Sequence, residues 1–468
     1  MASQVVFEIT GPVICVNSQT PLVKFRPNRE HSKHERELKN TLDLSLLTEG
    51  IDYEFSPGGV TRMVYPLLRE MINKKIIGEV HWVSLNSHAP EKVSLDGITL
   101  HHILLDTDKM KGYGYAKEII WNVLHGTNRE ATKPEQLIWQ DEYPDYIFYN
   151  RMTAEQISKL DSETDFDIFY VHDFQQLPMG HMLRSPKPCI FRWHIPFDES
   201  MIPQEWKGFL STYLNSYDVI IVSCRKYLDS LKLFGYTGKA RCVRPYIDSK
   251  SYSKPTETQI KELCHHLGIS DNDRIVLTVA RLDPMKGQDR AIRAIAKVVK
   301  DFPEVKLLLI GNGSFSGSRS GPGLNKAEKW HDELQRISRE LRIEDHIIFA
   351  GHLNEIQLCA AYERCDLTVL PSIREGFGLV VVESWLFRKP AIVSSRAGIT
   401  EMIEDGNNGI IFDPDDPSTL AEKMTNLLRD SSRAMTIGEN GFIASMSCLM
   451  EHGMKEELEV ISELIERG

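Results

Sequence analysis

Glu375 and Glu383 stand eight positions apart in REGFGLVVVE, separated by a glycine-bearing turn and the start of an apolar run. A carboxylate, a turn with accessible backbone N–H groups, and a second carboxylate one helical stretch later suit a sugar joined to a nucleoside diphosphate. The segment before them, CDLTVLPS from Cys365 to Ser372, reads as a buried parallel strand, and the segment after the turn reads as a helix. The turn is therefore expected at the carboxyl end of a strand. There the amides of Gly376, Phe377, Gly378 and Leu379 would leave a helix N-terminus, where aligned peptide dipoles and unpaired donors favour phosphate oxygens. Glu375 would face the sugar, and Glu383, about two turns into the helix, would accept hydrogen bonds from ribose hydroxyls. A solvated helix start with acidic residues is the plain alternative.

A second constellation lies earlier. TVARLDPMKGQDRAIRAIAKV places Arg281 and Lys286 five residues apart, on the loop after the apolar run RIVLTVA. Two cations on one strand-to-helix loop form a charge clamp for a departing diphosphate. An isolated pair of this kind is usually a surface pair. Its place after a strand, in the same half as the glutamates, favours the clamp.

The elements that must position these groups are legible as strand-then-helix repeats. In the first half the strand candidates are PVICV, EVHWVSL, TLHHILL, DIFYVHD, PCIFRWH, DVIIVS and ARCVRP; in the second they are RIVLTVA, VKLLLIG, HIIFAG, LTVLPS, PAIVSS and GIIFDP. Strand then helix, repeated, means α/β architecture with doubly wound parallel sheets covered on both faces. At 468 residues the chain has room for two domains with separate cores. The polar stretch PYIDSKSYSKPTETQ, residues 245 to 259, marks a boundary. The expected plan is two Rossmann-like domains, 1–250 and 251–440, facing one cleft with ligands at the strands' carboxyl ends, followed by helices over 441–468 that pack back across the junction. Two segments read as inserts: the charged stretch from Phe25 to Ile51, and the glycine- and serine-rich GNGSFSGSRSGPGLNKAEKW.

Composition narrows the function classes. A net charge of −11 without a long basic run argues against nucleic-acid binding. The eight cysteines show no CxxC pair and sit in or beside apolar runs, as buried thiols in a reducing compartment do. No stretch approaches the length of a membrane span, and MASQVVFEITGPVICV lacks a basic leader, so a cytoplasmic protein is expected. No GxGxxG follows the first strand, which argues against a dinucleotide oxidoreductase. No cofactor-binding lysine motif for a pyridoxal-phosphate phosphorylase is found. A non-catalytic sugar-nucleotide sensor would be expected to lack part of the cation and glutamate set, all four of which are present.

RLDPMKG, IGNG, PSIREGFGLVVVES and SSRAGITEMIEDGNNGIIFDPDD resemble the carboxyl-terminal domain of retaining glycosyltransferases with the two-Rossmann (GT-B) fold, over most of residues 272 to 430. The resemblance implies that Arg281 and Lys286 hold the donor diphosphate, that the loop between Glu375 and Glu383 cradles sugar and phosphate, and that neither a metal nor a cofactor is needed beyond the sugar nucleotide, with UDP-glucose favoured. In the first half, YGYAKEIIWNVLHG, FYVHDFQQLP and FRWHIPFDES are similar to trehalose-6-phosphate synthases. That similarity implies that His194 contacts the transferred glucosyl unit, that Asp173 lies beside the reacting hydroxyls, that Trp121 belongs to the acceptor wall, and that Gly58 and Gly59 let backbone approach the diphosphate. Glucose 6-phosphate is then the acceptor and trehalose 6-phosphate the product.

The chain departs from that pattern at two places. Gln19 stands where the synthases carry a phosphate-gripping arginine, which leaves Lys24, Arg26, Arg29 or Arg192 to supply the charge. An acceptor-pocket tyrosine falls at or next to Gly112, with Tyr113 as the nearest substitute. Both departures leave room for unphosphorylated glucose, as in the related trehalose glycosyltransferring synthases, or for another small polyol phosphate. The partners implied are small molecules alone, and a homo-oligomer is compatible with the sequence.

Overall fold

Short runs rich in valine, isoleucine and leucine form the strands here, and amphipathic segments between them form the covering helices. The computed structural model describes residues 11–25, 41–56, 59–86, 89–127, 132–312 and 322–466. Gly58, Arg26, Arg29 and residues 313–321 of the glycine- and serine-rich insert fall outside those residues. The chain divides into two units, Met1–Val243 with Met454–Gly468, and Arg244–Gly453. The division comes just ahead of the polar stretch at 245–259, and the last residues group with the first unit instead of standing apart.

The first unit contains β1 (Ile14–Ser18), β2 (Val23–Phe25), β3 (Leu42–Asp43), β4 (Tyr53–Phe55), β5 (Val80–Leu85), β6 (Lys92–Leu95), β7 (Ile98–Ile103), β8 (Ile168–His172), β9 (Cys189–Arg192), β10 (Val219–Val222) and β11 (Lys239–Cys242). Nine of them form one sheet in the order β11-β10-β9-β8-β1-β5-β7-β6-β3, while β2 and β4 pair separately. From β11 to β7 every pairing is parallel. The chain runs from β1 to β5 on one side and later to β8 on the other, so a topological switch point lies between β1 and β8. β6 departs from the parallel expectation. It pairs antiparallel with β7 through Asp96 and Gly97, both at positive φ, the backbone of a two-residue hairpin turn.

Alternation along these strands sends Cys15, Val83, Phe169, Val171 and Phe191 to one face, where they pack with Ile119, Tyr146, Tyr149 and Ile157 from the helices Thr107–Leu124 and Tyr143–Thr164. The neighbouring residues point to the other face. In register across it stand Ser18, His172 and Arg192. This is a buried row of polar side chains in the middle of a sheet.

The second unit is built on β12 (Arg274–Val279), β13 (Val305–Ile310), β14 (Ile347–Gly351), β15 (Leu367–Leu370), β16 (Ala391–Ser394) and β17 (Ile410–Phe412), all parallel, in the order β14-β13-β12-β15-β16-β17. Here the switch point lies between β12 and β15. The helix Gln288–Val298 buries Ala291, Ile292, Ala294, Ile295 and Val298, spaced for one apolar face, against the sheet.

Candidate active site

The loops leaving β12 and β15 carry the cations and the glutamates, and two backbone features join them. Ile373 N–H donates to the carbonyl of Met285 at 2.8 Å. Gly287 sits at φ +67°, and a Cβ there would lie 2.0 Å from the carbonyl oxygen of Pro371, so only glycine permits the loops to approach this closely. The approach places Lys286 beside Glu375. Lys286 Nζ donates to Glu375 Oε2 at 2.7 Å, and Ser372 Oγ donates to the same oxygen at 3.0 Å. Burial pushes the Glu375 carboxyl up, but the Lys286 charge, the hydrogen bonds from Lys286 and Ser372 and the Arg281 charge outweigh it and hold the group below its usual value. Arg281 is held by its backbone, whose carbonyl accepts from Gln288 Nε2 at 2.6 Å.

The helix after the glutamate turn runs from Leu379 to Leu386 and begins at Gly378, φ +111°, where a Cβ would strike Leu370 Cδ2 at 2.7 Å. Phe377 is buried and its carbonyl accepts from Ile399 N–H at 2.8 Å, which pins the turn to the following loop. Gly376 lies between that anchor and Glu375, itself bridged to Ala397. Glu383 is buried little more than one turn into the helix, closer to its start than the sequence suggests. Its Oε1 accepts from Tyr252 at 2.8 Å and its Oε2 from Tyr362 at 2.6 Å. A carboxylate has about four acceptor positions, so two remain for a diol. Tyr252, Tyr362 and Ser372 were not expected from the sequence, because nothing in a tyrosine's spacing from Glu383 marks it as a partner.

In the first unit, Asp173 and His194 follow the ends of β8 and β9. Asp173 has φ +69° and ψ 167°, a backbone region that side chains other than glycine's rarely adopt. Its N–H donates to the Arg192 carbonyl at 2.9 Å, and its Oδ1 accepts from Phe174 N–H at 3.1 Å. Burial pushes the Asp173 carboxyl up to about 7, against the pull of the Phe174 and His194 backbone donors. Backbone strain and a displaced titration are both features that cluster at functional positions.

The raised value has a stability consequence whose sign is fixed. Between the unfolded value near 4 and the folded value near 7 the folded state binds the extra proton, so this group's contribution to stability falls as pH rises through that window. Asp173→Asn, which keeps an acceptor oxygen without the charge, is expected to stabilise the protein by up to about 4 kcal/mol at pH 8 and by almost nothing at pH 4. Thermal unfolding at both pH values checks this. An equal shift at the two would mean that the carboxylate is fully compensated when folded.

Two acceptor assignments change on the structure. Arg192 is 1% exposed and ion-paired with the buried Glu457, while its Nη2 donates to the Val243 carbonyl at 3.2 Å. Its charge is neutralised by a carboxylate of the helix Met450–Ile465 and is not available to an acceptor phosphate. Tyr113 is also 1% exposed, packed between Tyr146 and Tyr149, with its hydroxyl buried and without a partner. It belongs to the core, and any side chain at Gly112 would meet Asp145 Oδ2 at 2.0 Å. Trp121 is half-buried, stacked on His125 at 3.6 Å and packed near Phe174. Gln19 is partly exposed in the loop after β1, at the switch point, where its carbonyl accepts from Leu85 N–H at 3.3 Å. Lys24 pairs across β2 and β4 with Glu54. Gly59 opens the helix Gly59–Asn73, and a Cβ there would meet no atom of the described residues within 4 Å, so their packing does not demand its smallness.

Two largely parallel sheets, each with loops bearing polar and charged side chains at a switch point, give the chain the GT-B fold, two Rossmann-like units as in glycosyltransferases of that fold. The family model "Glycosyl transferases group 1" matches residues 259–443, and "Trehalose synthase, N-terminal domain" matches residues 99–229. The chain is similar in sequence to trehalose synthases and to D-inositol 3-phosphate glycosyltransferases. It is 28% identical to the trehalose synthase of Thermococcus litoralis over 68% of this chain and 76% of that one. It is likewise 28% identical to a D-inositol 3-phosphate glycosyltransferase of Corynebacterium aurimucosum, over 59% of this chain and 67% of the other. Among solved structures, the alpha,alpha-trehalose 6-phosphate synthase of Burkholderia multivorans superposes with a TM-score of 0.73 at 18% identity, covering 98% of both chains, a likeness of fold. Among the described residues no helix is long and apolar enough to cross a membrane.

Proposed function

We propose that the chain is a retaining glucosyltransferase that moves glucose from a nucleotide sugar, UDP-glucose first, onto a second glucose unit to form the trehalose linkage. The observation that carries this reading is the Lys286–Glu375 pair, with the Arg281 charge beside it, at the β12/β15 switch point. A diphosphate arriving there competes with Glu375 for Lys286. As the anomeric bond lengthens, Arg281 and Lys286 neutralise the charge that gathers on the leaving phosphate, and in a water-poor site such contacts contribute several kcal/mol. The acceptor hydroxyl passes its proton to the departing phosphate oxygen and attacks the same face of the sugar, which gives retention. Glu375 takes sugar hydroxyls, Glu383 takes the ribose, and Asp173 and His194 meet the transferred unit.

On the acceptor, one of the named cations is already engaged, which supports a reading without the phosphate. With Arg192 committed to Glu457 and Gln19 in the loop after β1, the positive groups that would recognise a 6-phosphate are reduced. Free glucose is therefore favoured over glucose 6-phosphate. Because two side-chain cations do the neutralising, activity is expected to persist in a strong chelator.

The test is to mix UDP-glucose with glucose or with glucose 6-phosphate, measuring UDP release and the product's anomeric configuration by proton NMR. Trehalose, formed with at least about tenfold higher kcat/KM from glucose than its phosphate from glucose 6-phosphate, is the expected result; tenfold corresponds to one lost phosphate contact of about 1.4 kcal/mol. UDP release matched by free glucose alone, with no disaccharide, would overturn the reading.

A further inference from the structure

His172 closes β8, is fully buried, and lies against three rings: Tyr170 at 4.3 Å, Trp82 nearly parallel at 6.3 Å, and His194 stacked at 5.3 Å. Its Nδ1 is 3.0 Å from His194 Nε2, so one proton is shared between two ring nitrogens. The other nitrogen of His172, Nε2, is buried with no hydrogen-bond partner among the described residues. That orphan decides the direction of the bond. If His194 donated, neutral His172 would have to carry its proton on Nε2, leaving a buried N–H unpaired, the rarer and costlier kind of orphan. With the proton on His172 Nδ1, the orphan is only a lone pair.

Burial, together with the nearby Arg192 charge, keeps both imidazoles neutral. A neutral His194 that accepts at Nε2 must hold its own proton on Nδ1. His194 is partly exposed, unlike His172, and so can present that proton outward. Resting on the transferase reading above, we propose that His172 is a positioning residue that fixes the tautomer of His194, so that His194 offers an Nδ1–H donor to a hydroxyl of the transferred sugar and does not act as a base.

The test combines a spectrum with kinetics. In the full chain labelled with 15N-histidine, two-bond correlations are expected to show His194 protonated on Nδ1 and unprotonated on Nε2, assigned by the signals lost in His194→Ala. His172→Leu removes the donor and is expected to lower kcat by about 30- to 100-fold while changing the UDP-glucose KM by less than about threefold. His172→Asn places an amide N–H near the position of Nδ1 and is expected to recover kcat to within about fivefold of the unaltered enzyme. A His194 proton on Nε2 in the unaltered protein, or equal losses in His172→Leu and His172→Asn, would overturn the proposal. If His172→Leu fails to fold, the spectrum and His172→Asn still decide. Absence of any sugar transfer by the unaltered protein would count against the transferase function, while the spectrum would go on testing the tautomer.

Discussion

Lys286→Ala is expected to lower kcat for sugar transfer about 100- to 1,000-fold at saturating donor, the loss typical when one donor to a developing oxyanion is removed. Lys286 is joined to Glu375 at 2.7 Å when no diphosphate competes, so its removal has two effects. It deletes a positive charge that acts on the leaving phosphate. It also leaves Glu375 buried without its strongest partner, so that burial, the upward influence on its carboxyl, is less opposed. Lys286→Arg is expected to recover only part of the rate, because a planar fork does not reproduce a compact ammonium. Steady-state kinetics with UDP-glucose check this, and near-normal kcat in Lys286→Ala would remove the clamp from the mechanism.

The second large effect is on stability. Glu457 is fully buried, paired with Arg192 through Oε1 and accepting from Tyr170 through Oε2 at 2.5 Å. Glu457→Ala removes this counter-charge from a buried arginine and is expected to destabilise the first unit by about 3 to 5 kcal/mol. The pair itself is not the source of that figure. Replacing both partners, Arg192→Met with Glu457→Leu, is expected to restore most of the loss, since apolar groups of similar volume need no solvation. Urea unfolding of the single and double variants measures the coupling. A loss below about 1 kcal/mol in Glu457→Ala would mean that water reaches Arg192.

Much of the fold can be read from the chain because buried parallel strands are continuous apolar runs. RIVLTVA, VKLLLIG and LTVLPS each coincide with a strand, as do the other runs of both halves. The elements that escape such reading are short and half-exposed: β2, β3, β4 and β6. For β6 a signal was present, since Asp96-Gly97 between alternating residues is a hairpin turn. At the site, residues on one strand-end loop are legible because the loop is contiguous, which brings Glu375 into view and, from its own loop, Lys286. Partners distant in sequence are not. Glu457 is 265 residues from Arg192, and no local pattern distinguishes an arginine that grips a phosphate from one that neutralises a helix carboxylate. Tyr113 fails for a related reason: a helix periodicity places it on the buried face, but spacing alone does not say whether a buried tyrosine lines a pocket or fills a core.

The account stands on the two cations of the second unit neutralising a diphosphate as it leaves the sugar. A crystal structure of the chain with UDP-glucose or a non-transferable analogue tests that directly. The account predicts that Lys286 Nζ leaves Glu375 for a β-phosphate oxygen, with the Arg281 guanidinium on the same phosphate and Glu375 on a sugar hydroxyl. A bound donor whose phosphates lie beyond hydrogen-bond reach of both cations, with the Lys286–Glu375 pair intact, would contradict it.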